Sequence, residues 1–161
     1  GRPGAMTPIA GGLVVLAIGV STPVATEVGL RATQAPAMPV TCYVRTVDID
    51  GHQLTVEAVD GAYADLKESR LLTSEDLAHL LKVINDADFF SLPAEVGCYT
   101  TEGGERWVWV QLAEQRNGTT LHERGDHPTC VSGAQETARA FAVWEAVESL
   151  ARGALPAGCS Q

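Results

Sequence analysis

Basic residues are scarce in this sequence. Lys and Arg total 11 against 20 Asp and Glu in 161 residues, a formal net charge of -9. Binding to nucleic acid relies on clustered cations that neutralise phosphates, so that class is disfavoured. Long apolar runs are missing as well. A bilayer-spanning helix takes about 20 apolar residues, and residues 13–20 (LVVLAIGV) are too few, so no stable membrane span is expected. There is no GxSxG elbow and no coherent Ser, His and Asp set for nucleophilic catalysis. The glycines build no phosphate-binding loop; Gly103-Gly104 precede a strand, where a turn needs them. None of the four cysteines forms a CxxC pair, and no internal repeat stands out. These absences point to a protein that is not an enzyme and carries no cofactor. Its acidic charge keeps it soluble and could steer it toward a basic partner surface.

The length suits one domain, and the hydrophobic fraction of 45% is that of a globular chain able to bury a core without metals. Residues 1–6 read as a cloning remnant. Residues 7–39 read as an N-terminal strand or signal-like segment followed by a Pro-, Thr- and Ala-rich linker, with a short strand over 27–33. Residues 9–20 fit a targeting signal and a buried strand about equally. Residues 40–155 form a single domain, and 156–161 a tail. Even-numbered, widely spaced cysteines fit two disulfides in an oxidising compartment, with Cys42, Cys98, Cys130 and Cys159 as the candidates. Three pairings are open. Cys98–Cys130 is favoured because the two flank one hairpin. The expected location is secreted or in the cell envelope, periplasmic or extracellular.

Periodicity sets the fold class. Around the Asp50-Gly51 turn, Cys42, Val44, Thr46 and Asp48 alternate with Tyr43, Arg45, Val47 and Ile49, and Leu54, Val56 and Ala58 alternate on the return. This predicts a hairpin with one buried face, placed on the Val44 side, although Val47 and Ile49 compete for it. Residues 63–72 read as loop or strand. Thr73 is a natural N-cap with Asp76 completing a capping box, and Leu77, Leu80, Leu81 and Ile84 make a helical stripe. Pro93 stops that helix, and Phe89, Phe90 and Leu92 plug its end against a sheet. A second hairpin follows over 107–123, with Val108, Val110 and Leu112 opposite Trp107 and Trp109 and a turn at Asn117-Gly118. In a secreted eukaryotic protein Asn117 would be a glycosylation acceptor. The last helix starts near Ser132 with Gln135 as a second capping box. Ala140, Val143, Trp144, Val147, Leu150 and Ala151 form its apolar side, and Gly153 and Pro156 end it. The expected architecture is α+β, an antiparallel sheet of four or more strands with both helices packed on one face.

Candidate sites are few. His122, Asp126, His127 and Cys130 are the only cluster with metal-ligand character, and a disulfide at Cys130 would remove one ligand. No metal site is expected. Trp107 and Trp109 share a strand face, and if the valines face the helices the indoles form an outer aromatic patch, a common protein-binding feature. The competing reading covers them with the N-terminal apolar segment or a second layer. Loops near Asp60 and Glu102 are further contact candidates.

The hairpin YVRTVDIDGHQLTVEAV, the helix phrase LTSEDLAHLLKVINDADFFSLP, the strand pair over 107–123 and the terminal helix together resemble the emfourin family, small proteinaceous inhibitors of thermolysin-like metalloproteases. The likeness spans about residues 42–152, and DADFFSLP is its most specific part. The long N-terminal segment and the cysteines depart from the family. The resemblance implies a non-enzymatic protein-binding domain that inhibits a metalloprotease by occluding its cleft. The alternatives are a secreted or envelope-associated interaction protein without a protease partner, and a small enzyme or ligand carrier.

Overall fold

Short alternating runs punctuated by turn residues should build strands, and stripes at helical spacing should cover them. A computed structural model describes residues 28–35, 42–60, 66–99, 105–124 and 129–151, with only the backbone for residues 34, 35, 42–45, 58–60 and 66. In chain order these are β1 (Val28–Ala35), β2 (Cys42–Asp50), β3 (Gln53–Asp60), β4 (Leu66–Leu71), α1 (Ser74–Asp86), a 3-10 turn at Phe89–Ser91, β5 (Glu95–Val96), β6 (Glu105–Leu112), β7 (Gln115–Leu121) and α2 (Ala134–Ala151). The strands form one sheet in the order β4-β3-β2-β1-β6-β7-β5. The class is α+β, as expected. The sheet is mixed rather than purely antiparallel, because β5 runs parallel to β7 while every other pair is antiparallel. The chain leaving α1 and the 3-10 turn enters the sheet at its far edge and runs alongside β7 in the same direction.

β1 is the short strand expected over 27–33 within the linker stretch, but it is the middle strand of the sheet. It joins the β2–β4 meander to the β6–β7 hairpin. Its register explains the first hairpin. Leu30 and Ala32 stand opposite Ile49 and Val47 on one side and Val110 and Val108 on the other. Leu54 and Val56 continue the same rows on β3. Val47 and Ile49 are therefore the buried residues, while Thr46 and Asp48 turn the other way. The Val44-side expectation is corrected. Aligning apolar rows across several strands outweighs the alternation within one, and β2 is irregular between Cys42 and Val44. These rows join Leu80 and Ile84 of α1 and Ala140, Val143, Trp144 and Val147 of α2 in one core. Leu77 and Leu81 pack at its margin.

Helix α1 begins as its sequence demands. The Thr73 hydroxyl accepts from the Asp76 amide at 3.0 Å, and the Asp76 carboxylate accepts from the Thr73 amide at 3.1 Å. Helix α2 starts later than Ser132, and the expected Gln135 box does not form. Glu136 takes that role, accepting from the Gly133 amide at 3.2 Å. The Ser132 hydroxyl instead accepts from the Gly97 amide at 2.9 Å, fastening β5 to the start of α2. At the other end of α2, Arg70 Nη2 of β4 donates to the Leu150 carbonyl at 2.7 Å, satisfying a helix-end acceptor with a cation. Gly153 and Pro156 lie outside the described residues.

The helix-end phrase DADFFSLP is fixed from two sides. Phe89 is fully buried, Leu92 nearly so, and Phe90 half-buried. Asp88 adopts a left-handed turn with φ +47. Arg139 of α2 donates to the carbonyls of Ala87 at 2.7 Å and Asp88 at 3.0 Å. From the sheet, Asn117 Nδ2 donates to the carbonyls of Phe89 at 2.9 Å and Leu92 at 3.0 Å. Asn117-Gly118 is thus not the hairpin turn. The β6–β7 turn is at Ala113-Glu114, with Ala113 at φ +53 and Leu112 paired to Gln115. Asn117 and Gly118 are strand residues facing Val110 and Trp109. The turn signal is overridden because the core face needs a side-chain donor for the DADFFSLP carbonyls, and the opposite face needs a residue without a side chain. An amide engaged this way is also no glycosylation acceptor.

Candidate protein-binding surface

The strand residues between the core rows point to the other side of the sheet, and around them is a shallow groove of about 750 Å³. Its walls come from β1, β2, β3, β4 and β6. Trp107 and Trp109 line it and are half-buried. Their placement depends on two glycines. A β-carbon at Gly118 would sit 3.3 Å from Trp107 Cζ2 and Nε1 and from Trp109 Cδ1. One at Gly29 would sit 3.8 Å from Trp109 Cζ3. The indole of Trp109 therefore reaches over bare backbone on the strands flanking β6. The N-terminal segment proposed as their cover lies outside the described residues.

Beside the indoles, charge is paired. Arg31 donates to both Asp48 oxygens, Nε to Oδ1 at 2.7 Å and Nη2 to Oδ2 at 3.1 Å. That hydrogen-bonded carboxylate raises the pKa of the guanidinium further. Lys67 and Glu57 approach to 3.4 Å, and the Thr55 and Ser69 hydroxyls to 3.2 Å. These pairs are largely exposed, so they contribute little to stability. Their consequence is a groove with an apolar aromatic end and a polar, charge-balanced end. Sequence reasoning found the indoles. It missed the Arg31–Asp48 pair, because Arg31 falls in the short strand expected over 27–33 but nothing local set that strand beside Asp48; the Arg-x-Thr alternation of β1 was the available signal.

A second cluster sits at the β5 edge. The Glu95 carboxylate accepts from His122 Nε2 at 2.9 Å and from the Tyr99 hydroxyl. The Tyr99 ring packs against His122 at a tilt of 47°, with centroids 4.2 Å apart. The Tyr99 and His122 hydrogen bonds hold the Glu95 carboxyl below its usual range, and the Glu95 bond pushes the Tyr99 hydroxyl up. Next to it, Cys98 and Cys130 form a disulfide, the favoured pairing. Cys130 is thereby spent as a ligand, and His122 points to Glu95. Asp126 and His127 lie outside the described residues, as do Cys159, the side chains of Cys42 and Asp60, and Glu102. Of the other histidines, His52 Nδ1 donates to the Leu72 carbonyl at 3.2 Å and His79 is exposed.

On the helix side of β6, Arg106 lies 5.7 Å from the Trp144 ring centroid and Arg124 lies 4.3 Å from that of Phe141. Both cations lie over aromatic residues of α2, and Arg124 also pairs with Glu145. Among the described residues no helix is long and apolar enough to cross a membrane. No protein-family model matches this chain, and no curated protein matches it significantly.

Proposed function

We propose that this chain is a non-catalytic protein-binding domain whose two helices cover one face of the sheet and whose other face, centred on Trp107 and Trp109, takes the partner. The observation that carries this reading is the pair of indoles set over Gly29 and Gly118 in an accessible groove. Tryptophan supplies large contact area at little entropic cost, and such anchors dominate interface energies. Two half-buried indoles lose comparatively little freedom on docking, because neighbouring backbone already restricts them. The paired charges beside them suit a polar rim.

The proposed class of partner follows from the emfourin resemblance of the hairpin, the DADFFSLP helix and the terminal helix: a thermolysin-like metalloprotease, inhibited by occlusion of its cleft. A disulfide at Cys98–Cys130 is compatible with work outside the cytoplasm, where such proteases act. The test is capture with the purified, non-reduced protein from secreted and envelope fractions of its own organism, read by mass spectrometry. A thermolysin-like protease as the dominant, stoichiometric partner supports the inhibitor reading. Another stable partner retires the protease and keeps the binding domain. Capture that is unchanged when both tryptophans are replaced retires the groove.

A further inference from the structure

We infer that the outer edge of β4 is a self-pairing surface, through which two copies of this chain join antiparallel about a two-fold axis at Ser69. β4 is an edge strand, and no described strand pairs with its outer side. Its inner side is fixed by register. The Leu72 amide donates to the His52 carbonyl at 2.7 Å, and Gln53 stands opposite Leu71, Thr55 opposite Ser69 and Glu57 opposite Lys67. In an antiparallel ladder the hydrogen-bonded pairs alternate with pairs that turn their backbone groups away. Arg70 and Glu68 therefore bond inward to β3. The amides and carbonyls of Lys67, Ser69 and Leu71 point outward. The close approach of the Thr55 and Ser69 hydroxyls, 3.2 Å, fits a non-hydrogen-bonded pair, whose side chains are nearer.

Charge selects the occupant and the register. A second β4 centred on Ser69 sets Ser69 against Ser69, Lys67 against Leu71 and Glu68 against Arg70. Each outward amide then meets an outward carbonyl. Glu68 is exposed and makes no ion pair among the described residues, so in each of the two symmetric pairs it gains Arg70 of the other copy, a cation it would share with Asp76, 3.6 Å from Arg70 Nη1. Shifting the axis to Glu68 sets carboxylate against carboxylate, and shifting it to Arg70 sets guanidinium against guanidinium; like charges directly opposite destabilise a sheet. Leu71, 71% exposed, gains cover from the aliphatic stem of the facing Lys67. The inference stands apart from the tryptophan groove and holds whether or not that groove binds a protease.

The experiment is sedimentation of the full chain over a range of concentrations, with three variants. Ser69→Pro removes an outward amide and leaves the inward ladder to β3 intact, a placement edge strands tolerate. The expected result is a wild-type monomer–dimer equilibrium. Ser69→Pro moves its midpoint to about ten-fold higher concentration or beyond, with an unchanged far-UV spectrum. Glu68→Lys, which sets a lysine against Arg70 in each of the two symmetric pairs, weakens it similarly. Ser69→Cys, folded first and then mildly oxidised, gives a cross-linked dimer, whereas Lys67→Cys does not, because its neighbour across the axis is Leu71. A wild-type chain that stays monomeric at its highest soluble concentration overturns the inference. So does a dimer that both Ser69→Pro and Glu68→Lys leave intact, or cross-linking through Lys67→Cys as efficient as through Ser69→Cys.

Discussion

Replacing Asn117 with Asp separates the observed role of this residue from the turn its sequence suggests. In a two-residue hairpin turn Asp-Gly serves as well as Asn-Gly, so the exchange would be close to neutral. In the structure Asn117 Nδ2 donates to the carbonyls of Phe89 and Leu92 at 2.9 and 3.0 Å, in a part-buried setting. Each such bond is worth a net ~1 kcal/mol, and an orphaned buried acceptor costs about 1–3 kcal/mol. The Phe89 carbonyl keeps a second partner, the Leu92 amide at 3.1 Å, so the penalty falls mainly on Leu92. Asn117→Ala should then cost about 2–3 kcal/mol. Asn117→Asp should cost at least as much, because it sets a carboxylate against two carbonyl oxygens. In urea, with a slope of about 2 kcal/mol/M, the midpoint should drop by about 1–1.5 M. A change below about 0.5 kcal/mol in both variants, the range of ordinary surface substitutions, would refute the reasoning. Gly118→Ala is the companion. Its methyl would press on both indoles at 3.3 Å, so tryptophan fluorescence should shift while the fold persists.

Three further outcomes are expected. Phe89→Ala, at a fully buried ring, should lower stability by about 3–5 kcal/mol, and Phe90→Ala, at a half-buried one, by clearly less; equal losses in denaturant titrations would contradict the packing described. Removing the Cys98–Cys130 bridge by paired Ala substitution should cost about 3–4 kcal/mol, since it closes a loop with a sequence separation of 32; an unchanged thermal midpoint would count against it. Glu95 has its carboxyl lowered by Tyr99 and His122, so its contribution is present above the ordinary carboxylate pKa and is lost as pH falls through the depressed value. The wild type should therefore lose stability below about pH 4 more steeply than Glu95→Gln; parallel acid limbs for the two proteins would be the opposing result.

Local signals carried well where chemistry and position coincide. The Thr73 and Asp76 box, the α1 stripe and the apolar side of α2 were legible because helix periodicity and capping depend on neighbours in sequence. Val108 and Val110 against Trp107 and Trp109 were legible for the same reason. What the sequence concealed was set by other strands. The buried side of β2 is decided by Leu30 and Ala32 of β1, a strand whose central place no local pattern announces. Asn117-Gly118 has the composition of a turn, yet the alternation Asn117, Thr119, Leu121 was the better guide, since all three face the core side of β7. The parallel pairing of β5 has no signal in two residues. The Glu95, Tyr99 and His122 cluster joins β5 to the end of β7, and that proximity is invisible without the sheet order.

The central claim is that the face bearing Trp107 and Trp109 binds a protein partner, with a thermolysin-like metalloprotease as the proposed one. The most direct measurement titrates such a protease with the wild type and with a Trp107→Ser/Trp109→Ser variant of matched fold, following peptidase activity and binding heat together. The account predicts stoichiometric inhibition by the wild type and a loss of about thirty-fold or more in affinity for the variant, the scale of a single hot-spot residue of ~2 kcal/mol. No binding by the wild type would contradict the protease assignment. Inhibition that is equally tight in the variant would contradict the tryptophan face itself.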